Sequence, residues 1–173
     1  MKDFETIYTD IIKELKQGSR PRIQVNREVI EQVNDKLINN QEVEKCLCIL
    51  CHLRSPSNQY HDALIAVLKG NLFEQYELTS FLMEACQRHF IEYQTQSGNP
   101  IPPIFFKTIA EFLKLCPKKE RLSVLQLIEF TGGKSIFFKK VIEDLKWGIS
   151  SVFNKNDRLS IETIKRMEKS WPL

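Results

Sequence analysis

The sequence predicts an all-α protein of eight to nine helices. Apolar side chains recur at intervals of three and four residues, the spacing that places them on one face of a helix. Short stretches rich in glycine, proline and asparagine separate these segments. The strict alternation of apolar and polar residues that marks a half-buried strand is missing. At 173 residues the chain has the length of one domain, so we predict a single domain over residues 1–173.

Signals for helix ends define the first three helices. An apolar face from Phe4 to Leu15 predicts a first helix that ends near Gly18. Asn26 is placed to cap the second helix, because an asparagine side chain accepts a hydrogen bond from a backbone N–H of the first turn. A third helix is predicted over about residues 41–53.

The fourth and fifth helices lead to the longest break in the sequence. Ser57 is placed to cap the fourth helix, which ends at Gly70. Asn71 and Glu74 have the spacing of a capping box ahead of the longest helix. The loop of residues 96–103, rich in proline and glycine, ends that helix, and a subdivision of the domain is predicted there.

Four further helices are predicted after this loop. Pro103 suits the first position of the sixth helix, because proline lacks the N–H that a helix start leaves unbonded. The seventh helix is predicted over about residues 119–130, and Ser135 begins the eighth. A last helix covers about residues 159–169.

Two of these helices carry apolar residues on more than one side. At about 100° per residue, Ile104 and Leu115 lie away from the main apolar face of helix six, and Ile136 and Trp147 lie away from that of helix eight. We therefore predict that both helices are covered from two directions. Antiparallel hairpins in an α-solenoid stack or a compact multi-helix bundle satisfy this pattern. The paired helices resemble the hairpins of HEAT-type repeats, although no repeated residue signature accompanies this architectural resemblance.

Composition predicts a folded protein that lies outside membranes. Hydrophobic residues make up 42% and charged residues 27% of the chain, close to the averages for globular domains. The longest apolar run is residues 46–51, whereas a membrane span needs about 20 residues. The amino terminus contains several charged residues and no long apolar stretch, so it does not resemble a secretory signal. Five cysteines suit a reducing compartment, so we predict a cytoplasmic location.

Charge is distributed unevenly along the chain. Residues 1–99 carry 11 basic and 14 acidic side chains, and residues 100–173 carry 14 and 8. Such a distribution steers acidic partners towards the carboxy-terminal half. Solvated helix faces that happen to be rich in lysine are the more ordinary explanation.

Cysteine and histidine spacings raise two metal-based alternatives. Cys48, Cys51 and His52 match a haem-attachment motif. Covalent haem attachment belongs to exported proteins, and these residues also fit an apolar helix, so we predict no haem. With Cys86 and His89, the two cysteines match a zinc ligand set, but both pairs lie inside apolar helical patterns instead of turns. We predict that His89 is a hydrogen-bonded core histidine and that the protein has no metal or cofactor.

Residues 131–135 resemble the end of a phosphate-binding loop. That loop requires another glycine where the sequence has Ile128, and a preceding strand where the sequence predicts a helix. No other spacing places a nucleophile beside a base, so we predict that the protein is not an enzyme. The sequence of residues 131–135 is that of an ordinary helix boundary. The alternative is that the backbone N–H groups at the start of helix eight bind an anion.

The candidate binding residues lie on helices six to eight, where basic and aromatic side chains cluster. No helix-turn-helix, zinc-finger or sheet-borne aromatic signature accompanies them. We predict a non-enzymatic, helical-repeat-like interaction or scaffold module that binds a protein or peptide partner. The alternative is binding of nucleic-acid backbone through the basic residues of segment 107–169. The candidate binding residues are Lys118, Lys119, Arg121, Lys134, Phe137, Lys139, Lys140 and Trp147.

Overall fold

Helices account for nearly all of the regular structure, as the sequence predicts. In the residues that the computed structural model describes, the single β contact is a parallel bridge between Ile23 and Leu53. The all-α prediction is confirmed. The described residues are 2–54, 58–70, 78–98, 100–132, 135–146 and 155–171.

The described residues contain nine α-helices, and a 3₁₀ turn at Lys118–Glu120 leads into the seventh. The fifth helix is the longest of the nine, which the sequence predicts. The helices are α1 Phe4–Lys16, α2 Arg27–Ile38, α3 Val43–His52, α4 Asn58–Lys69, α5 Thr79–Ser97, α6 Pro103–Leu115, α7 Arg121–Phe130, α8 Ser135–Lys146 and α9 Lys155–Ser170.

Side-chain caps and turn residues fix several helix ends. The Asn26 side chain accepts a hydrogen bond from the N–H of Val29 at 2.9 Å, so the predicted cap of α2 is confirmed. Gly18 follows α1 with a φ of 78°, a left-handed conformation that favours glycine and ends the helix. Pro103 occupies the first position of α6, as predicted. The predicted caps at Ser57 and Asn71 lie outside the described residues.

Two helices start elsewhere than the sequence predicts. Asn40 and Glu42 have φ values of 55° and 44°, which a right-handed helix excludes, so α3 starts only at Val43. Helix α9 starts at Lys155, four residues before the predicted start. The carboxylate of Asp157 then lies in the first turn, where the helix dipole favours negative charge.

Residues 1–70 and 84–101 form the first of two packing units. In this unit α1 packs against α3, and α2 packs against α4. Lys45, near the start of α3, contacts Glu5 near the start of α1 at 2.9 Å, so these two helices start at the same end. Helices α1 to α4 thus each contact the second neighbour along the chain. The largest fully buried side chains of this unit are Ile11, Leu47, Ile49, Leu64 and Phe90.

Residues 71–83 and 102–173 form the second unit. The pairing of second neighbours recurs here, because α6 packs against α8 and α7 against α9, while α6 also contacts α7. Two stacked helical hairpins give this pairing. One boundary between the units, after Ile101, falls within residues 96–103. That residues 1–173 form a single domain stays a prediction. Fully buried side chains of this unit include Phe105, Ile109, Phe112, Leu113 and Phe138.

The prediction that helices six and eight are covered from two directions is wrong for the described residues. Ile104 is 47% exposed, Leu115 is 68% exposed and Ile136 is 85% exposed. The main apolar faces of α6 and α8 are wide enough to take the neighbouring helices of this unit. The opposite flanks therefore face solvent. Trp147 lies outside the described residues.

The cap of α2 gives a first testable prediction. Substitution Asn26→Ala removes the hydrogen bond to the Val29 N–H and is expected to lower the free energy of unfolding by about 1 kcal/mol, measured by urea unfolding. The matched control is Gln32→Ala, on the exposed face of the same helix, where alanine's higher helix propensity predicts a change near zero or slightly stabilising. Equal destabilisation by both substitutions would contradict the capping role.

Candidate interaction surface

The first group of predicted binding residues follows the end of α6. Lys118 and Lys119 belong to the exposed 3₁₀ turn, and the ammonium of Lys119 lies 3.9 Å from the carboxylate of Glu120. The Nε of Arg121 donates a hydrogen bond to the carbonyl oxygen of Cys116 at 3.2 Å. Arg121 is half-buried. This arginine therefore has a structural contact that holds the α6–α7 connection.

The second group lies on α8. The half-buried ring of Phe137 stacks on Phe106 of α6, with 5.5 Å between ring centroids and 21° between ring planes. Lys139 and Lys140 are exposed. Phe137, Lys139 and Lys140 lie within about one turn of α8. The remaining two predicted residues, Lys134 and Trp147, lie outside the described residues.

The two groups are separated along α6. Phe137 packs on Phe106, in the first turns of α6, whereas Lys118 follows the last residue of that helix. From Phe106 to Leu115, the last residue of α6, the helix rises by about 14 Å. The structure therefore does not bring all the described candidate residues into one compact surface.

Three large apolar side chains are exposed near helix termini of the second unit. The contact of Phe137 with Phe106 places the starts of α6 and α8 side by side. The chain that joins the end of α7 to the start of α8 reaches at most about 18 Å, so the end of α7 lies within that distance of the start of α8. We call the set the apolar end. It consists of Ile104, 47% exposed, Phe130, 45% exposed, and Ile136, 85% exposed.

Positive charge accompanies the most exposed member of the apolar end. Lys139 and Lys140 follow Ile136 by three and four residues, so the three side chains share a face of α8. Elsewhere in this unit a basic side chain is neutralised: Arg166 donates two hydrogen bonds to Glu129, at 2.6 and 2.9 Å, and its guanidinium holds the pKa of that carboxyl below its ordinary value. In the described part of the chain no carboxylate pairs with the two lysines of α8.

The cysteines of the haem-like and zinc-like motifs are buried thiols. Burial raises the pKa of Cys48 to about 11, and it also raises the pKa of Cys51 and of Cys86. A thiol must be deprotonated to bind zinc or act as a nucleophile, so these side chains are neutral small hydrophobes near pH 7. Nδ1 of His52 lies 3.0 Å from the Pro21 carbonyl oxygen. Among the described residues, no three His, Cys, Asp or Glu side chains are grouped so as to hold a metal ion.

His89 is hydrogen-bonded within the core, as predicted. Its Nε2 lies within hydrogen-bonding distance of Nδ1 of His61, and both side chains are buried in the first unit. The ring of Tyr93 lies 4.7 Å from that of His61. Burial lowers the pKa of both imidazoles, and the neighbouring His61 lowers that of His89 further. Both rings are therefore neutral at pH 7, with one N–H donating to the other ring's nitrogen.

Gly132 ends α7 at the sequence that resembles a phosphate-binding loop. Its φ of 83° is left-handed, and its N–H donates to the carbonyl of Glu129. This geometry is that of a helix C-terminus. Gly133 and Lys134 lie outside the described residues.

Comparisons with known protein families, with curated protein sequences and with solved structures found no match to this chain. None of the described helices combines the length and apolar character that a bilayer crossing requires. The geometry of the described residues is therefore the basis for a functional assignment.

Sequence reasoning missed the members of the apolar end as binding residues. Ile104 and Ile136 were expected to be buried, and Phe130 was expected to close the seventh helix without a further role. The available signal for Ile104 and Ile136 was their position opposite the main apolar face of each helix. That position predicts exposure whenever a helix has neighbours on only one side.

Proposed function

We propose that this protein is a non-enzymatic interaction module that binds a protein or peptide partner at the apolar end of its second unit. The exposure of Ile136 carries the proposal. An isoleucine that is 85% exposed gains free energy when a partner covers it, at about 25 cal/mol for each Å² of apolar surface removed from water. A contiguous exposed apolar surface is typical of interaction sites, and Ile136 is the most exposed of the large apolar side chains in the described residues.

The charges beside Ile136 favour a partner with acidic residues. Lys139 and Lys140 are exposed, and they lie one helical turn from Ile136. Opposite charge on a partner accelerates association and fixes orientation, while the apolar contact supplies affinity. The partner segment in this proposal therefore combines large apolar side chains with aspartate or glutamate.

A reducing compartment, which we take to be the cytoplasm, suits this function. All five cysteines are buried as free thiols. Binding of nucleic-acid backbone through the basic residues of segment 107–169 is the competing function. It has less support, because Lys118 and Lys119 follow the end of α6, whereas Lys139 lies two residues after Phe137, which packs on the first turns of that helix.

Selection of displayed random peptides of about 16 residues on the immobilised protein tests the proposal. Enriched peptides are expected to combine aromatic or aliphatic residues with acidic ones. Substitution Ile136→Asp is expected to weaken their binding about 30-fold, because it removes a central apolar contact and repels acidic groups. Fluorescence anisotropy of a labelled selected peptide measures the affinity.

Matched controls separate this surface from exposed residues in general. The control is the same substitution at Ile38, which is 56% exposed on α2. Ile38→Asp is expected to leave the affinity unchanged. Reversing Lys139 and Lys140 to glutamate is expected to slow association, whereas reversing the exposed Lys165 and Lys169 of α9 is not.

Two outcomes would overturn the proposal. The first is selected peptides that bind Ile136→Asp as tightly as the unmodified protein. The second is a complex with a DNA duplex of about 20 base pairs that weakens steeply with salt and is lost when Lys118, Lys119 and Lys139 are reversed to glutamate. That second result would establish the competing function.

A further inference from the structure

A cleft in the first unit lies between α1 and the segment that precedes α2. Its volume is about 310 Å³, at the lower end of the range for small-molecule sites. It therefore accommodates one long side chain or a small ligand. The lining residues are Lys2, Ile7, Asp10, Glu14, Ile23, Gln24, Val25 and Asn26.

The sequence builds one wall of this cleft from a single helix face. Ile7, Asp10 and Glu14 are spaced by three and four residues, so their side chains follow one another along α1. Opposite them, the chain is extended at Ile23. The Ile23 N–H donates to the carbonyl of His52, and the N–H of Arg54 donates to the carbonyl of Ile23, both at 2.9 Å. These two bonds fix the second wall of the cleft.

The cleft is apolar inside and acidic at its edge. Ile7 is buried, while Ile23 and Val25 are half-buried. The carboxylates of Asp10 and Glu14 lie one helical turn apart on the same wall. A ligand that matches both features has an aliphatic stem and a terminal cation, which is the chemistry of a lysine side chain.

The chain's own Lys2 shows how an ammonium is held here. Its Nζ donates to the Asp10 carboxylate at 2.6 Å, and Ser19 donates its hydroxyl to Glu14 at 3.1 Å. The hydrogen bond and the charge of Asp10, with a smaller contribution from Glu14, raise the pKa of Lys2. Lys2 remains largely exposed, with 67% of its side chain accessible. An exposed ion pair of this kind contributes little stability and exchanges readily.

We propose that this cleft binds a lysine side chain of a partner protein. The stem of that lysine lies on Ile7, Ile23 and Val25, and its ammonium lies between the carboxylates of Asp10 and Glu14. Lys2 competes for the same carboxylates, so it acts as an internal competitor of the partner. This site belongs to the first unit, so the inference goes beyond the function proposed for the apolar end.

Binding of Nα-acetyl-lysine methylamide tests the inference with the smallest suitable probe. Titration of the full chain is followed by amide chemical shifts in nitrogen-15 correlation spectra. Saturable shifts are expected for residues 7–14 and 23–26. The Nε-acetylated form of the same probe keeps the stem but lacks the charge, and it is expected to bind at least about tenfold more weakly, because two charge-assisted contacts are lost.

Three variants test the roles of individual side chains. The double substitution Asp10→Asn, Glu14→Gln is expected to weaken probe binding about tenfold, because it removes both carboxylate charges. Lys2→Ala is expected to strengthen binding about two- to fivefold, because it removes the competing ammonium. The control is Glu28→Gln on α2, which removes an exposed carboxylate outside the cleft and leaves binding unchanged.

The direction of the Lys2→Ala effect distinguishes a binding site from a merely structural ion pair. If Lys2 only maintained the shape of the wall, its removal would weaken probe binding. The inference is overturned if Lys2→Ala weakens binding, if both forms of the probe bind alike, or if Glu28→Gln reduces binding as much as the double substitution does. Unchanged circular dichroism at 222 nm confirms that each variant is folded.

Discussion

Replacing Phe138 by alanine is expected to lower the free energy of unfolding by about 3–5 kcal/mol. Phe138 of α8 is fully buried, and its ring meets that of Phe106 edge to face, with 6.2 Å between centroids and 89° between planes. Truncation removes this contact and leaves a cavity that the close-packed helices cannot fill. Because domains have a total stability of about 5–15 kcal/mol, this single change removes a large part of it.

The matched control for this prediction lies two residues earlier on the same helix. Ile136 is 85% exposed, so Ile136→Ala is expected to change the free energy of unfolding by less than about 0.5 kcal/mol. Urea unfolding followed by circular dichroism measures both variants. A large loss for Ile136→Ala would mean that the second flank of α8 is covered after all.

Acidification from pH 7.5 to pH 5.0 is expected to lower the free energy of unfolding by about 2–4 kcal/mol, because His61 and His89 resist protonation in the folded state. Burial lowers the pKa of both, while the nearby carboxylate of Asp62 partly offsets this for His61. The unfolded chain protonates each histidine near pH 6.5. The stabilising contribution of the two neutral histidines is therefore present above about pH 6.5. It falls at lower pH because the unfolded state binds more protons than the folded state.

The slope of this dependence identifies the residues that cause it. Each histidine that is protonated only on unfolding contributes about 1.4 kcal/mol per pH unit. In the double substitution His61→Leu, His89→Leu the dependence between pH 7.5 and 5.0 is expected to disappear almost entirely. Gln32→Ala on the exposed face of α2, which removes no ionisable group, is expected to keep the full slope. A flat profile in the unmodified protein would refute the assignment.

Local signals predict the helices well because the interactions that end a helix lie within a few residues. Asn26 caps α2 through the Val29 N–H, three residues away, and Pro103 needs only the missing N–H at the first position of α6. The late start of α3 was not predictable in this way, because nothing in the sequence requires Glu42 to have a positive φ.

The candidate sites could be predicted only in part, because they depend on how helices pack. The basic residues of α8 are visible in the sequence, but the exposure of Ile136 depends on which flank of α8 lacks a neighbour. The shape of the cleft beside α1 depends on the path of residues 23–26. That path is fixed by hydrogen bonds between Ile23 and the backbone of His52 and Arg54, far along the chain. Pairing across such distances has no local signature.

The division of α5 between the two units limits how the chain can be dissected. Residues 79–83 of this helix belong to the second unit, although they precede residues 84–97 of the first. A fragment that stops at residue 101 would keep Leu82 and Met83, which are almost fully buried in the intact protein, but would lack the α6–α9 segment of their unit. Such a fragment would expose an apolar surface prone to aggregation, so neither unit is a contiguous piece that can be excised by cutting the chain once.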